Sequence, residues 1–157
     1  MSIYLAVEND WKGQFVSVIL HPPQAVFAVP ASNYRILIVD DLADNLFLLQ
    51  TILEAEGYAV EVADNGRLAV AKVAAAPPDL ILLDVMMPDL NGYEVTRQIR
   101  QNQAVPYMPI LLVTAYEQAQ AVEGFDVGAN DFIRKPIEFA QLLARVKAFL
   151  QVSQSGV

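Results

Sequence analysis

Two aspartates, Asp40 and Asp41, follow directly on the apolar run ILIV (36–39), with no lysine or arginine in the next ten residues. A strand that ends in two adjacent like charges needs a partner from elsewhere in the chain. Three later apolar runs also end in reactive side chains. Asp84 closes DLILLD (79–84), Thr114 closes PILLVT (109–114), and Lys135 closes NDFIRK (130–135) just before Pro136. In open α/β sheets, ligands bind beyond the carboxyl ends of the strands. If these ends share one sheet, three carboxylates, a hydroxyl and an ammonium converge. Carboxylates that close repel each other, and a hard divalent cation such as Mg²⁺ resolves the repulsion with oxygen ligands. Mg²⁺ favours carboxylate together with substrate phosphate, so the expected chemistry is phosphoryl transfer. Neither a GxxxxGK[ST] loop nor a GxGxxG turn is present to hold a nucleotide. A carboxylate can itself be the covalent acceptor. Lys135 and Thr114 then face the phosphoryl oxygens, and the metal bridges acceptor and donor.

These positions require alternating strands and helices, and residues 35–150 supply them. The strand-like runs are RILIV (35–39), YAVEVA (58–63), DLILLD, PILLVT and NDFIRK. Between them Leu46, Leu49 and Leu53, then Ala69, Val70 and Val73, then Val95 and Ile99 fall at helical spacing. Leu142, Val146 and Phe149 mark a last helix. The first helix is expected to end near Gly57, and the second before Pro77-Pro78. This rhythm predicts βα units on a mostly parallel sheet. The unbroken apolar runs ILIV and LILL predict strands covered on both faces.

Residues 1–34 break the rhythm. Three short apolar runs, IYLAV (3–7), FVSVIL (15–20) and AVFAV (25–29), predict short strands that are too few to be stable alone. Their apolar content and slight charge (Glu8, Asp10 and Lys12) predict a contact role, with a homodimer favoured and docking on the chain's own surface next. The expected organisation is an N-terminal extension at 1–33, one α/β domain at 34–152 and a short tail at 153–157.

Composition narrows the function classes. The chain has 157 residues, enough for one substantial core. It has no cysteine, which removes disulfides, thiolate metal sites and cysteine nucleophiles. Its single histidine, His21, lies beside Pro22 and Pro23. Net charge is −8, which argues against direct nucleic-acid binding. Mean hydropathy is +0.35, yet no apolar stretch reaches the roughly 20 residues of a membrane span. The first residues lack the basic start of a signal peptide. A soluble, cytoplasmic protein without membrane insertion is expected.

The stretches ILIVDD (36–41), PDLILLDVMMPDLNGYEV (78–95), PILLVTA (109–115) and GANDFIRKP (128–136) resemble the receiver domain of two-component response regulators. The resemblance covers residues 34–150. It implies a doubly wound, flavodoxin-like (βα)5 fold with a parallel sheet in the order 2-1-3-4-5. It implies that a histidine kinase or histidine phosphotransfer protein phosphorylates Asp84. Asp41 and Asp84, with the backbone carbonyl of Met86, would then ligate Mg²⁺, and Asp40 would act mostly through water. Thr114 and Lys135 map to the family's hydroxyl and lysine, and Phe132 to its aromatic switch position. Pro88 and Gly92 match the loop after the phosphorylated residue, and Lys135-Pro136 matches a cis bond. Met86 and Tyr116 match the positions flanking the path of the water that removes the phosphoryl group.

The function expected is a phosphoaccepting receiver that signals by protein–protein contact or onward phosphotransfer, and not an enzyme with its own substrate. After the last helix only QVSQSGV remains, so output is expected to pass through an unknown partner, through the N-terminal extension or through onward phosphate transfer. Two alternatives are a receiver-fold scaffold or dimerisation module that is never phosphorylated, and a metal-dependent phosphatase with an aspartate nucleophile. The phosphatase reading is disfavoured because its usual second acid two residues on is Met86 here.

Overall fold

The computed structural model describes residues 33–115 and 121–155. The expected N-terminal strands, His21 and Tyr116 lie outside these residues. Five parallel strands pair in the order β2-β1-β3-β4-β5. They are β1 (Arg35–Val39), β2 (Ala59–Ala63), β3 (Leu80–Asp84), β4 (Ile110–Thr114) and β5 (Asp131–Arg134). Helices α1 (Ala43–Ala55), α2 (Gly66–Ala75), α3 (Gly92–Gln101), α4 (Ala121–Asp126) and α5 (Phe139–Ser155) alternate with them. This is the expected doubly wound flavodoxin-like sheet. Among the described residues no helix is long and apolar enough to cross a membrane.

The apolar runs divide by parity. Ile36, Ile38, Leu80, Leu82, Leu111 and Val113 meet Leu46, Leu49 and Leu53 of α1 and Leu142, Val146 and Leu150 of α5. Leu37, Val39, Ile81, Leu83, Ile110 and Leu112 meet Ala69 and Val73 of α2 and Val95 and Ile99 of α3. Strand side chains alternate between faces, so a continuous apolar run fills both cores at once. Every residue of β3 and β4 is buried, whereas edge strand β2 alternates.

Four strands start one residue later than the sequence predicts, and at β2 and β5 the local reason is visible. The N–H of Tyr58 donates to Leu53 O and closes the end of α1 instead of starting β2. That end turns at Gly57, which has φ +93°, a left-handed conformation that favours glycine. Asn130 precedes β5 and accepts the Ile110 N–H through its side-chain Oδ1 at 2.8 Å. Lys135 lies past the strand, in a cis bond to Pro136 as the resemblance implied.

Caps fix the helices that frame the strand ends. The side chains of Asn65 and Asn91 accept from Leu68 N and Glu94 N, opening α2 and α3. Gly92 lets α3 start against the end of β3. A Cβ there would fall 2.6 Å from the carbonyl oxygen of Asp84 and 2.8 Å from the Cα of Val85. The loop that follows Asp84 therefore returns close over the strand end, and only glycine fits there.

Candidate functional site

The carboxyl ends of β1, β3, β4 and β5 bring five of the expected residues to one edge of the sheet. Asp40 leaves β1 with its N–H donated to Ala63 O, and Asp84 is the last residue of β3. Thr114 ends β4, and its carbonyl accepts the N–H of Lys135 at 2.9 Å. Asp40, Asp84 and Thr114 are buried, whereas Asp41 is exposed. One carboxylate oxygen from each of Asp40, Asp41 and Asp84 lies within 4.8 Å of the other two.

Neighbouring N–H groups and one ammonium hold these acids. Asp40 Oδ1 accepts from Leu42 N at 2.9 Å, and Asp40 Oδ2 accepts from Asn45 Nδ2 at 3.0 Å. Leu42 is the N-cap of α1 and has no side chain able to cap it; its own N–H is the group that Asp40 holds. The positive end of the α1 dipole also favours carboxylates here. Asp84 Oδ1 accepts from Met86 N at 3.2 Å. Lys135 Nζ stands 3.5 Å from Asp84 Oδ2 and 3.9 Å from Asp40 Oδ2.

Burial, and then the charge of Asp40, push the Asp84 carboxyl above its ordinary value of 3.8, while Lys135 and the Met86 N–H oppose the rise. The folded protein therefore binds a proton at Asp84 more tightly than the unfolded chain does. Between 3.8 and the raised value, stability falls as pH rises, and above the raised value the full cost is carried. In chelator, Asp84→Asn is expected to melt at a higher temperature than wild type at neutral pH. The gap should narrow as pH falls through the raised value, and thermal melts across pH would show it. A gap independent of pH would contradict the assignment of that cost to Asp84.

The donor set is all oxygen and anionic, which fits a hard divalent cation such as Mg²⁺ better than a soft one. Of the other expected residues, Phe132 is not among these carboxylates, and Met86 meets Asp84 through its backbone N–H. Phe132 pairs with Leu112 on β4, and its ring lies edge-on to Phe125 of α4 at 5.0 Å between centroids. Met86 presents an exposed side chain just beyond Asp84.

The family profile of the response regulator receiver domain matches residues 36–147. The chain belongs to this family. Receiver domains of this family are phosphoaccepting modules of two-component systems. The receiver domain here is 47% identical over 117 residues to the transcriptional regulatory protein ResD of Bacillus subtilis, covering 74% of this chain and 48% of ResD. It is 42% identical over 115 residues to the response regulator PleD of Caulobacter vibrioides, covering 73% of this chain and 25% of PleD. The chain thus spans about half the length of ResD, or less of PleD. Among solved structures, a CheY-like receiver domain protein from Methanospirillum hungatei aligns with a TM-score of 0.75 and 33% identity. That match covers 80% of this chain and 100% of the other. The receiver domain of the sensor histidine kinase PA1611 from Pseudomonas aeruginosa, described with magnesium coordinated in its active-site cleft, aligns with a TM-score of 0.70 and 30% identity. It covers 76% of this chain and 99% of that one.

Three features of this receiver domain escape the sequence reading. Asn45 reaches back to Asp40 from the first turn of α1. Arg100 donates to Gly128 O, Met108 O and Asn130 Oδ1, with its guanidinium 4.5 Å from the centre of the Tyr107 ring. It ties the end of α3 to the approaches to β4 and β5, and burial pulls its pKa down. Arg67 and Asp89 pair at 2.6 Å, where Asp89 adopts φ +70° in the loop after Asp84. In sequence each of these side chains looks like an ordinary polar face.

Proposed function

We propose that Asp84 is the covalent phosphoacceptor, served by Mg²⁺, and that the phosphorylated chain signals through a protein partner or passes the phosphate on. The observation that carries this reading is the single cluster of Asp40, Asp41 and Asp84, with Lys135 Nζ 3.5 Å from Asp84 Oδ2. An Asp84 carboxylate oxygen forms a bond to phosphorus as the bond from phosphorus to the donor breaks, and the donor leaves with the electron pair. The donor in a two-component pair would be a histidine kinase or a histidine phosphotransfer protein. Asp41, Asp84 and the Met86 carbonyl would hold the cation, with Asp40 acting through water. The cation supplies charge neutralisation for the carboxylates and the entering phosphate. Lys135 and Thr114 would face the phosphoryl oxygens. Phe132 would be the aromatic that responds when Thr114 shifts, changing the surface of α4, β5 and α5.

The test is intact-mass spectrometry after incubation with acetyl phosphate, with Mg²⁺ or with chelator. One phosphoryl group should be gained in Mg²⁺ and none in chelator. No gain in either would return the unphosphorylated scaffold as the better reading.

The phosphoryl group should also be lost slowly. Met86 offers neither a carboxylate nor an amide to orient an attacking water, and its exposed side chain can cover the approach. Its companion in this expectation, Tyr116, lies outside the described residues. Met86→Asn should shorten the lifetime of the phosphorylated protein several-fold in excess Mg²⁺, followed by mass. Equal decay of variant and wild type would reject the shielding role.

A further inference from the structure

Lys135 stands between two buried carboxylates, and its charge alone does not decide which one it serves. The other donors do. Asp40 has both oxygens occupied, Oδ1 by Leu42 N at 2.9 Å and Oδ2 by Asn45 Nδ2 at 3.0 Å. Asp84 has one backbone donor, Met86 N, and it reaches Oδ1. Lys135 stands 3.5 Å from Asp84 Oδ2, nearer than the 3.9 Å to Asp40 Oδ2. A buried carboxylate oxygen left without a donor is costly, so each oxygen competes for whatever donor is in reach.

We propose that Asn45 is a positioning residue: by satisfying Asp40 Oδ2 it leaves the Lys135 ammonium to Asp84. The inference rests on the reading of Asp84 as phosphoacceptor. Asn45 suits the task. It sits on the first turn of α1, whose N-terminus is already tied to Asp40 through Leu42 N. It borders the same cleft as Lys135 and Pro136. Its amide donates without adding charge. An aspartate there would add a fourth carboxylate, and a lysine a second ammonium to compete with Lys135.

Removing the amide has two consequences of opposite sense. Asp40 Oδ2 loses its donor and draws Lys135 away from Asp84. Transfer onto Asp84 then slows, because the cation that faced the entering phosphoryl oxygens is displaced. Mg²⁺ meanwhile binds more tightly, because Lys135 no longer competes with it for Asp84. A side chain that served only to stabilise the fold would not produce this split.

Asn45→Leu keeps the approximate shape and removes the donor, and Asn45→Ala does so without bulk. Both are compared with wild type by calorimetric Mg²⁺ titration, by circular-dichroism melting, and by an intact-mass time course in saturating acetyl phosphate and Mg²⁺. For a charge-assisted hydrogen bond, transfer should slow about tenfold. The Mg²⁺ dissociation constant should fall roughly threefold as the competing charge withdraws. In an Asp40→Asn background the same substitution should change neither quantity, because no carboxylate remains to claim Lys135. If wild type is phosphorylated and both Asn45 variants match it, or if affinity and rate fall together, this inference is overturned and the phosphoacceptor reading survives. An equal effect with and without the Asp40 carboxylate also overturns it. A wild type that takes up no phosphate overturns the functional reading and this inference with it.

Discussion

Asp84→Asn is expected to abolish phosphate uptake, lowering the rate by roughly a hundredfold or more, the scale on which a positioned reacting group contributes. The amide keeps the size and much of the hydrogen bonding of the carboxylate but is a poor nucleophile. Neither neighbouring acid can replace it. Asp40 has its two oxygens held by Leu42 N and Asn45 Nδ2. Asp41 is exposed and, among the described residues, pairs with no lysine, since the Lys135 ion pairs run to Asp40 and Asp84. The removed charge was also costly to bury, so the variant should be well folded and the loss chemical. Parallel intact-mass time courses in Mg²⁺ and acetyl phosphate check this. Equal uptake by variant and wild type would place the acceptor elsewhere.

Asp41→Asn is expected to weaken Mg²⁺ binding by about tenfold to a hundredfold, since even residues supporting a ligand from behind act on that scale. Asp41 is the exposed member of the three acids, so its carboxylate reaches a cation with little desolvation still to offset. Asp40 is buried and engaged by two donors, which suits a supporting role more than direct ligation. Calorimetric titration of Mg²⁺ measures the loss directly. Melting temperature gives a second reading, because a ligand that binds only the folded state raises it. Mg²⁺ should raise the wild-type melting temperature and leave that of Asp41→Asn nearly unmoved. Unchanged affinity in Asp41→Asn would remove it from the metal site.

Much of this was legible in the sequence because the fold places chemistry where strands end. ILIV and LILL are apolar at every position, which fits only strands covered on both faces, and both β1 and β3 are buried throughout or nearly so. Once those strands are parallel neighbours, Asp40, Asp84, Thr114 and Lys135 must gather at one edge, as they do. Strand limits were less legible. Tyr58 and Asn130 look like strand residues, but one closes α1 through its N–H and the other anchors β4 through its side chain. Roles set by a contact distant in sequence were not legible at all. Arg100 looks like a solvated helix residue, yet it meets Asn130, thirty positions away. Asn45 has the same character: a polar residue on a first helical turn can face solvent or reach back, and only the geometry decides. The expected roles of residues 1–32 and Tyr116 fall outside the described residues.

The central claim, that the phosphoryl group resides on Asp84, is tested most directly by locating the modified residue. Protein phosphorylated in Mg²⁺ and acetyl phosphate can be treated with borohydride, which reduces an acyl phosphate to the alcohol and converts that aspartate to homoserine. Peptide sequencing by mass spectrometry then shows which residue changed. The account predicts homoserine at position 84 in Mg²⁺ and no conversion in chelator. Homoserine at 40 or 41 with an intact Asp84, or conversion that is independent of Mg²⁺, would contradict it.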